Sequence, residues 1–196
     1  MTTQNKDLYG LILAGGYSKR MGQDKALMDF HGKPQAVYCY ELLSTYCDKV
    51  FVSTRPDQRF LDLPLLMDLD QFLNKGPIAG ILSAMQTYPQ VSWVLLACDL
   101  PYVRHETIDH LLKNRAIHKA ATAFISSRDG MPEPLCAVWE SCSQKGVLEY
   151  YEQGIQCPRK ILIKSDVNLL TLPDHKWLNN VNSPEDLKRY LKETFS

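Results

Sequence analysis

A polar segment near the start of the chain has the residue types that bind polyphosphate. It follows a short apolar run, Leu8 to Leu13, which predicts a buried strand and is followed by two glycines. Glycine lets the backbone turn and approach a ligand closely, with no Cβ in the way. The next residues include a hydroxyl and three cations, Ser18, Lys19, Arg20 and Lys25. Exposed amides, a hydroxyl and cations in one loop predict a phosphate-binding site.

Polar residues also follow three later apolar runs, at Ser53, Asp68 and Asp99. In an open parallel sheet, ligands bind outside the carboxyl ends of the strands. We therefore expect these three residues and the glycine-containing loop to share one edge of the sheet. This expectation depends only on the order of apolar and polar segments.

Strands that alternate with helices along the chain predict an α/β fold with a mostly parallel sheet. Trp93–Cys98 is continuously apolar, which predicts a central parallel strand. Lys160–Lys164 fits a strand and a helix equally well. No segment has the composition of a linker, so we expect residues 1–196 to form one domain.

The phosphate-binding segment differs from two well-known phosphate loops. A P-loop requires lysine after its last glycine, but Gln23 follows Gly22, and Gly15-Gly16-Tyr17 does not fit the G-x-G-x-x-G pattern. The segment instead resembles the LAGGxSxRMGxDKxL signature of the MobA-like nucleotidyltransferases, and each fixed letter is present from Leu13 to Leu27. Within that family it is most similar to the molybdenum cofactor guanylyltransferases.

Four later segments resemble the same family in the same order: GPIAG at 76–80, CDLP at 98–101, EPL at 133–135 and NVNSPEDL at 180–187. The resemblance implies a Rossmann-like three-layer α/β/α sandwich, similar to the nucleotide-diphospho-sugar transferases. It also implies a reaction in which GMP passes from GTP to molybdopterin, or to the molybdenum cofactor, and pyrophosphate leaves.

The resemblance implies roles for individual residues. The implied catalytic residues are Arg20, Lys25 and Asp99. The implied nucleotide-binding residues are Leu13, Ala14, Gly15, Gly16, Ser18, Arg20, Lys25, Ser53, Asp68 and Asp99. The implied ligands of Mg²⁺ are Asp99 and Asn182. The family can carry Asn where this chain has Ser53, which has less reach and no amide.

Other roles remain open for several of these residues. Asp99 suits Mg²⁺, which prefers carboxylate and phosphate oxygens, but an Asp in this position also caps turns and helices. Asn182 is either a second metal ligand or a cap before Ser183. Asp70 competes with Asp68 for the nucleoside contact. The small residues of GPIAG bring a helix close either to the substrate or to the sheet.

The sequence indicates the residues that bind the acceptor less clearly than those that bind the nucleotide. Arg128, Arg159 and Lys160 are cations that could meet the phosphate of the acceptor, although isolated charges are more often surface residues. The five histidines show no spacing typical of metal ligands, and we assign them no role.

Composition limits the classes of function. The 196 residues carry a formal net charge of +0, which argues against a dedicated nucleic-acid binder. No apolar run approaches the ~20 residues of a membrane helix, and MTTQNKD lacks a signal core, so we expect a cytoplasmic protein. The six cysteines form no C-x-x-C pair, which argues against a zinc or thioredoxin-like site. Most of them lie in apolar neighbourhoods, which predicts reduced structural thiols.

Three alternatives to the guanylyl transfer remain. The first is cytidylyl transfer to the same pterin, because a base read by main-chain groups leaves little trace in the side chains. The second is transfer to another small substrate, such as a sugar phosphate. The third is a non-catalytic nucleotide-binding regulator, although Arg20, Lys25 and Asp99 occurring together favour an enzyme. Other proteins of molybdenum cofactor biosynthesis, or acceptor proteins, are possible partners.

Overall fold

The apolar segments of the chain form the strands of one sheet. The computed structural model describes residues 8–14, 24–54 and 62–195, and all structural statements below concern these residues. The strands are β1 (Leu8–Leu13), β2 (Lys49–Thr54), β3 (Leu65–Met67), β4 (Ser92–Ala97), β5 (Ala121–Ile125), β6 (Pro132–Trp139) and β7 (Val167–Leu170).

The sheet is mostly parallel. The strand order is β3-β2-β1-β4-β6-β5-β7, and β6 is the one strand among these seven that runs antiparallel to its neighbours. β6 pairs with β5 through a short hairpin, in which the N–H of Ser126 donates to the Met131 carbonyl oxygen. β1 and β4 lie side by side at the point where the strand order reverses. In α/β sheets of this kind, ligands bind at that point, at the carboxyl ends of the strands.

Helices cover both faces of the sheet. They are α1 (Gln35–Ser44), α2 (Pro77–Thr87), α3 (His105–Lys113), α4 (Gln144–Glu152), α5 (Pro158–Lys164) and α6 (Pro184–Phe195). α1 and α3 contribute to the hydrophobic core on one face, and α2, α4 and α5 to the core on the other. Successive residues of β4, such as Leu95 and Leu96, belong to opposite cores, as the two-residue repeat of a strand requires. The three-layer α/β/α arrangement is therefore confirmed.

β4 is the central strand that its sequence predicts. All six of its residues are buried, because helices lie over both of its faces. It is parallel to β1 and antiparallel to β6. Asp99 follows this strand after Cys98, at the carboxyl edge of the sheet.

The structure differs from expectation at Ser53 and settles one ambiguous segment. Ser53 does not follow β2 but lies within it, with 4% of its surface exposed. Lys160–Lys164 is helical and forms the end of α5, which Pro158 begins and whose Ile161 and Leu162 pack against the sheet. A single domain over residues 1–196 remains a prediction.

Two further observations concern the remaining expectations. All six cysteines are free, and Cys39, Cys98 and Cys136 are buried. Within the described ranges, no helix is both long and apolar enough to cross a bilayer.

Candidate functional site

Three side chains from distant parts of the chain meet at the carboxyl edge of β1 and β4. Lys25 Nζ lies 3.7 Å from Asp99 Oδ2, and it also donates a hydrogen bond to Asn182 Oδ1. Lys25 and Asp99 are partly buried, with 23% and 24% of their side-chain surface exposed. A carboxylate oxygen and an amide oxygen therefore converge on one cation.

The chain near Asn182 is held directly against the loop that carries Asp99. The N–H of Val181 donates to the Asp99 carbonyl oxygen at 3.0 Å. Asn180 Nδ2 donates to Asp99 Oδ2 at 3.2 Å. Both groups of Asp99, backbone and carboxylate, are thus fixed by the segment 180–182.

Local capping places Lys25 on a short turn rather than in extended chain. Asp24 precedes a 3₁₀ turn at Lys25–Leu27, and its carboxylate accepts from the N–H of Ala26 at 3.1 Å. Ala26 is fully buried and anchors this turn, while Lys25 beside it points its ammonium at Asp99.

A reciprocal cap at the start of α6 leaves the Asn182 side chain free for Lys25. The N–H of Asp186 bonds the Ser183 hydroxyl at 3.2 Å, and Asp186 Oδ2 accepts from the N–H groups of Asn182 and Ser183 at 3.1 Å each. Burial alone would raise the pKa of Asp186, but these donors and Arg189 hold that pKa below its usual value. The capping role is thus performed by Ser183 and Asp186, not by the Asn182 side chain.

Ser53 and Asp68 form a second polar pair on the same edge. The Ser53 hydroxyl donates to Asp68 Oδ1 at 3.3 Å, and Asp68 directly follows β3. Asp70, the competing aspartate, is exposed at the start of a separate 3₁₀ turn. The contact with Ser53 therefore favours Asp68 over Asp70 as the residue that belongs to the site.

The GPIAG segment explains why Ser53 is buried. Gly76 has φ +70, a conformation that glycine adopts readily, and Pro77 begins α2 directly after it. A Cβ added at Gly80 would lie 2.2 Å from Ser53 Oγ and 3.1 Å from Leu13 Cδ2. The small residues of this helix therefore permit close packing of the helix on the sheet.

The end of β1 lies between these polar groups. The N–H of Ala14 donates to the Ser53 carbonyl oxygen at 3.3 Å, and the N–H of Cys98 donates to the Leu13 carbonyl oxygen at 3.3 Å. Four predicted site residues of the loop that follows lie outside the described residues: Gly15, Gly16, Ser18 and Arg20.

A cleft of about 660 Å³ opens beside Asn180 and Asn182. Its opposite wall is formed by the β5–β6 hairpin, which includes Arg128 and Glu133, and by the start of α5. Because β6 runs antiparallel, its first residues lie at the same edge of the sheet as Asp99. The cleft therefore continues the Lys25–Asp99–Asn182 site away from β1.

Arg159 joins the two elements of that opposite wall. Its Nη1 bonds Asp129 Oδ2 and its Nη2 bonds Glu133 Oε2, each at 2.8 Å. Burial raises the pKa of Glu133, although Arg159 and the N–H of Leu135 oppose that shift. Arg159 is thus occupied by two carboxylates, whereas Arg128 is exposed and forms no ion pair with a described residue. Lys160 does not line the cleft.

The donor set at Asp99 suits a hard cation that brings other ligands with it. No group of three or more His, Cys, Asp or Glu side chains that could hold a metal occurs in the part of the chain that the structure describes. Asp99 and Asn182 supply two oxygens, and these already face a cation, the Lys25 ammonium. Mg²⁺ is commonly held by one or two carboxylates together with substrate phosphates and waters. The residues present therefore fit Mg²⁺ in company with a phosphate ligand.

Sequence reasoning missed Asn180 and the carboxylate partners of Arg159. Asn180 fixes the Asp99 carboxylate, and the available signal was a group of three asparagines at positions 179, 180 and 182. Arg159 was considered as a phosphate ligand, but its two carboxylate partners lie 26 and 30 residues away in the chain, where no short-range pattern could indicate them.

Comparison with known proteins gives consistent results. The model of the MobA-like NTP transferase domain family matches residues 10–167, a range that ends before Asn180. A protein of Synechocystis sp. named molybdenum cofactor biosynthesis bifunctional protein is 40% identical over 184 residues, which are 91% of this chain and 52% of that protein. The chain therefore spans about half the length of that relative.

Two further proteins resemble the chain over most of its length. One from Nostoc sp., named probable molybdenum cofactor guanylyltransferase, is 32% identical over 184 residues, covering 92% of this chain and 89% of its own. The crystal structure of molybdopterin-guanine dinucleotide biosynthesis protein A from Archaeoglobus fulgidus superposes with a TM-score of 0.75 at 24% identity, covering 94% and 97% of the two chains. That likeness confirms the predicted nucleotide-diphospho-sugar transferase-like fold.

Proposed function

Because this chain belongs to the MobA-like NTP transferase family, we propose that it transfers GMP from GTP to molybdopterin, or to its molybdenum-loaded form, and releases pyrophosphate. The observation that carries the proposal is the convergence of Lys25, Asp99 and Asn182 at the switch point of the sheet, beside an open cleft. Such a site holds a triphosphate on one side and leaves room for an acceptor on the other.

The reaction asks the protein mainly for positioning and charge neutralisation. The terminal phosphate of the acceptor supplies the attacking oxygen, which forms a bond to the α-phosphorus of GTP. The bond from that phosphorus to the bridging oxygen breaks, and its electrons leave with pyrophosphate. No covalent intermediate with a protein nucleophile is required.

The nucleotide lies on the β1 side in this proposal. Main-chain groups from Leu13 to Gly15 read the base, and Gly16 and Ser18 contribute to the phosphate loop. Arg20 and Lys25 neutralise the triphosphate, which carries several negative charges. Asp68 faces the nucleoside, and the buried Ser53 hydroxyl donates to its carboxylate and holds it in place.

Asp99 and Asn182 are the residues that would hold Mg²⁺, the proposed cofactor. When bound, the ion polarises phosphate oxygens and neutralises charge that develops during transfer. Asn180 keeps the Asp99 carboxylate in place through its hydrogen bond. With these two oxygens on the ion, the Lys25 ammonium would face the phosphates.

The acceptor lies in the cleft next to Asn182. The volume of this cleft, about 660 Å³, is within the range of small-molecule sites. Arg128 is the cation we assign to the phosphate of the acceptor, because Arg159 is already bonded to Asp129 and Glu133. The polar amides of Asn179 and Gln156, which line the cleft, suit a pterin with several donors and acceptors.

The experiment is a nucleotide panel with molybdopterin and Mg²⁺ in which pyrophosphate release is followed. GTP should support release and ATP, CTP and UTP should not, and the guanine dinucleotide product should be detected by mass. Asp99→Asn serves as the inactive control. Release with CTP alone would assign cytidylyl transfer instead, and binding of GTP without release would indicate a regulator.

We also propose a cytoplasmic location, where GTP and reduced thiols are both available. The acceptor would be supplied by other proteins of molybdenum cofactor biosynthesis. The proposed location is supported by the composition of the chain. The proposed source of the acceptor is supported by the names of the relatives.

A further inference from the structure

Two aromatic side chains hold the loop that follows Asp99. His31 Nε2 lies 3.0 Å from the carbonyl oxygen of Pro101, and the Tyr38 hydroxyl donates to the carbonyl oxygen of Val103 at 3.0 Å. A carbonyl oxygen only accepts, so Nε2 of His31 carries the proton in this contact. The loop from Asp99 to Val103 is therefore fixed by side chains at two points beyond the carboxylate.

The two rings also constrain each other. They are stacked, with centroids 3.6 Å apart and planes inclined by 15°. Tyr190 of α6 approaches His31 edge-on, with centroids 6.2 Å apart. Stacked and edge-on contacts of this kind restrict ring rotation, so the two donor atoms have little freedom to leave the loop.

This contact is a second link between the two segments that form the phosphate site. Lys25 and His31 belong to the same short segment, and Asp99 and Pro101 belong to the same loop. The first link joins Lys25 Nζ to Asp99 Oδ2 across the open site, where a ligand would interrupt it. The second joins His31 to Pro101, neither of which lines the cleft, so a ligand bound there would leave it in place.

We propose that His31 and Tyr38 are positioning residues, which hold the loop 99–103 so that the Asp99 carboxylate faces the metal and the nucleotide. Neither residue touches the substrate. The inference rests on the proposed function, because it assigns Asp99 to the cation that accompanies GTP. It predicts that loss of either hydrogen bond weakens the use of the metal without weakening the fold to a similar extent.

Three variants separate the hydrogen bonds from the ring packing. His31→Phe keeps a ring against Tyr38 but loses the donor to Pro101. His31→Gln places an amide N–H at a similar reach and should restore that donor. Tyr38→Phe keeps the stack and loses only the bond to Val103.

Tyr46→Phe is the matched control. Tyr46 follows α1, and its hydroxyl also donates to a backbone carbonyl, that of His105, at 3.2 Å. His105 lies in α3, outside the loop 99–103. Tyr46→Phe therefore removes the same kind of hydrogen bond at a similar place without touching the loop that carries Asp99.

For each protein, two quantities are measured besides thermal unfolding: turnover at saturating GTP, and the increase in GTP affinity that Mg²⁺ causes, by calorimetry. His31→Phe and Tyr38→Phe should lower turnover by about 10- to 100-fold, the loss expected from slight misplacement of a reacting group. They should also reduce the Mg²⁺ enhancement, with GTP affinity in the absence of metal unchanged. His31→Gln should recover most of both quantities, and Tyr46→Phe should match wild type.

Two results would overturn the proposal. One is a wild-type Mg²⁺ enhancement in both His31→Phe and Tyr38→Phe. The other is a loss in His31→Gln equal to that in His31→Phe, accompanied by equal loss of thermal stability, which would indicate a purely structural role. If His31→Phe fails to fold, Tyr38→Phe and His31→Gln decide the question. Failure of the proposed function is distinct: wild type would then bind Mg²⁺ and GTP but release no pyrophosphate.

Discussion

Lys25 Nζ and Asp99 Oδ2 lie 3.7 Å apart, and the same ammonium is bonded to Asn182. Both oxygens that we assign to the metal therefore face the Lys25 ammonium. For the proposed site, lysine and metal compete for the same oxygens until a triphosphate attracts the lysine away. Metal and nucleotide should accordingly bind cooperatively.

Lys25→Met tests this competition. It keeps the length of the side chain and removes its charge. Turnover should fall by about 100-fold or more, because a preorganised cation at the phosphates is lost. Mg²⁺ binding to the protein without nucleotide should strengthen, because the competing ammonium is gone. Calorimetry with Mg²⁺ alone and a pyrophosphate assay measure the two effects.

Lys33→Met is the control for that change. Lys33 forms an exposed ion pair with Glu41, so its loss should alter neither quantity. Wild-type turnover in Lys25→Met would remove Lys25 from the phosphate site.

Asp99→Asn should abolish activity and the Mg²⁺ enhancement of GTP binding, because an amide oxygen holds Mg²⁺ far less well than a carboxylate. If the Asp99 carboxylate had no charged partner, its replacement by a neutral amide would stabilise the folded protein. Asp99 instead pairs with Lys25 while partly exposed, so the loss of stability should be at most about 1 kcal/mol. Calorimetry and thermal unfolding measure these effects.

The control for Asp99→Asn is Asp109→Asn on the surface of α3, where Asp109 pairs with Lys113. It should leave metal and nucleotide binding unchanged. An equal Mg²⁺ enhancement in Asp99→Asn and wild type would mean that the metal is held elsewhere, and Asp68 would be tested next.

Gly80→Ala should destabilise the protein by about 1–3 kcal/mol, the usual cost of overpacking. The new Cβ would lie 2.2 Å from Ser53 Oγ, so the Ser53 side chain must shift, which disturbs its hydrogen bond to Asp68. GTP affinity should fall together with stability, because Ser53 would no longer hold the Asp68 carboxylate toward the nucleoside. Urea unfolding and calorimetry give the two values.

Gly146→Ala is the matched control, since among the described residues no atom beyond the adjoining helix backbone and chain neighbours lies within 4 Å of a Cβ built at Gly146 in α4. There, alanine should stabilise the helix by about 0.5–1 kcal/mol. A Gly80→Ala protein as stable as wild type would contradict the close packing of α2 on β2.

The stability of the protein should decrease as the pH falls below the ordinary histidine pKa of 6.5, in part through His31. Burial lowers the pKa of His31, aided by Arg104 and Lys33 and opposed by the Pro101 contact and Asp29. The unfolded chain therefore takes up a proton that the folded protein resists. The advantage of wild type over His31→Gln should shrink between about pH 7.5 and pH 5.5.

Urea unfolding of both proteins at the two pH values measures that difference. His175→Gln, at an exposed position, is the control and should show no such change relative to wild type. A constant difference between wild type and His31→Gln would contradict the lowered pKa.

Two thiols should react quickly in the native protein, those of the exposed Cys142 and Cys157. Burial raises the pKa of Cys136 far above its usual range and that of Cys47 to about 12, which suppresses their thiolates. Titration under denaturing, non-reducing conditions should count all six cysteines. Four or fewer in fresh protein would indicate a disulfide.

Features that depend on neighbouring residues could be predicted from the sequence. β1 and β4 were indicated by apolar runs, and the Gly76–Pro77 start of α2 by the residue types at a helix start. The shared edge of Asp68 and Asp99 followed from topology alone, because parallel strands end on one side.

Features that depend on contacts between distant residues could not be predicted from the sequence. The Asn180 contact with Asp99 spans 81 residues, and Ser53 became buried only because Gly80 admits a helix against it. Lys160–Lys164 has no clear period, and its helical state follows from Pro158 and from contacts with the sheet. Tertiary contacts decided each case, and local propensity did not.

The antiparallel direction of β6 has a consequence for how such a protein can change its substrate. The hairpin between β5 and β6 and the start of α5 form one wall of the cleft, and they supply none of the three side chains Lys25, Asp99 and Asn182. Insertions or exchanges in residues 126–131 would therefore reshape the proposed acceptor cleft and leave the proposed nucleotide site unchanged. The residues that would change for a new acceptor are thus separate from the Lys25–Asp99–Asn182 group, which would have to be kept.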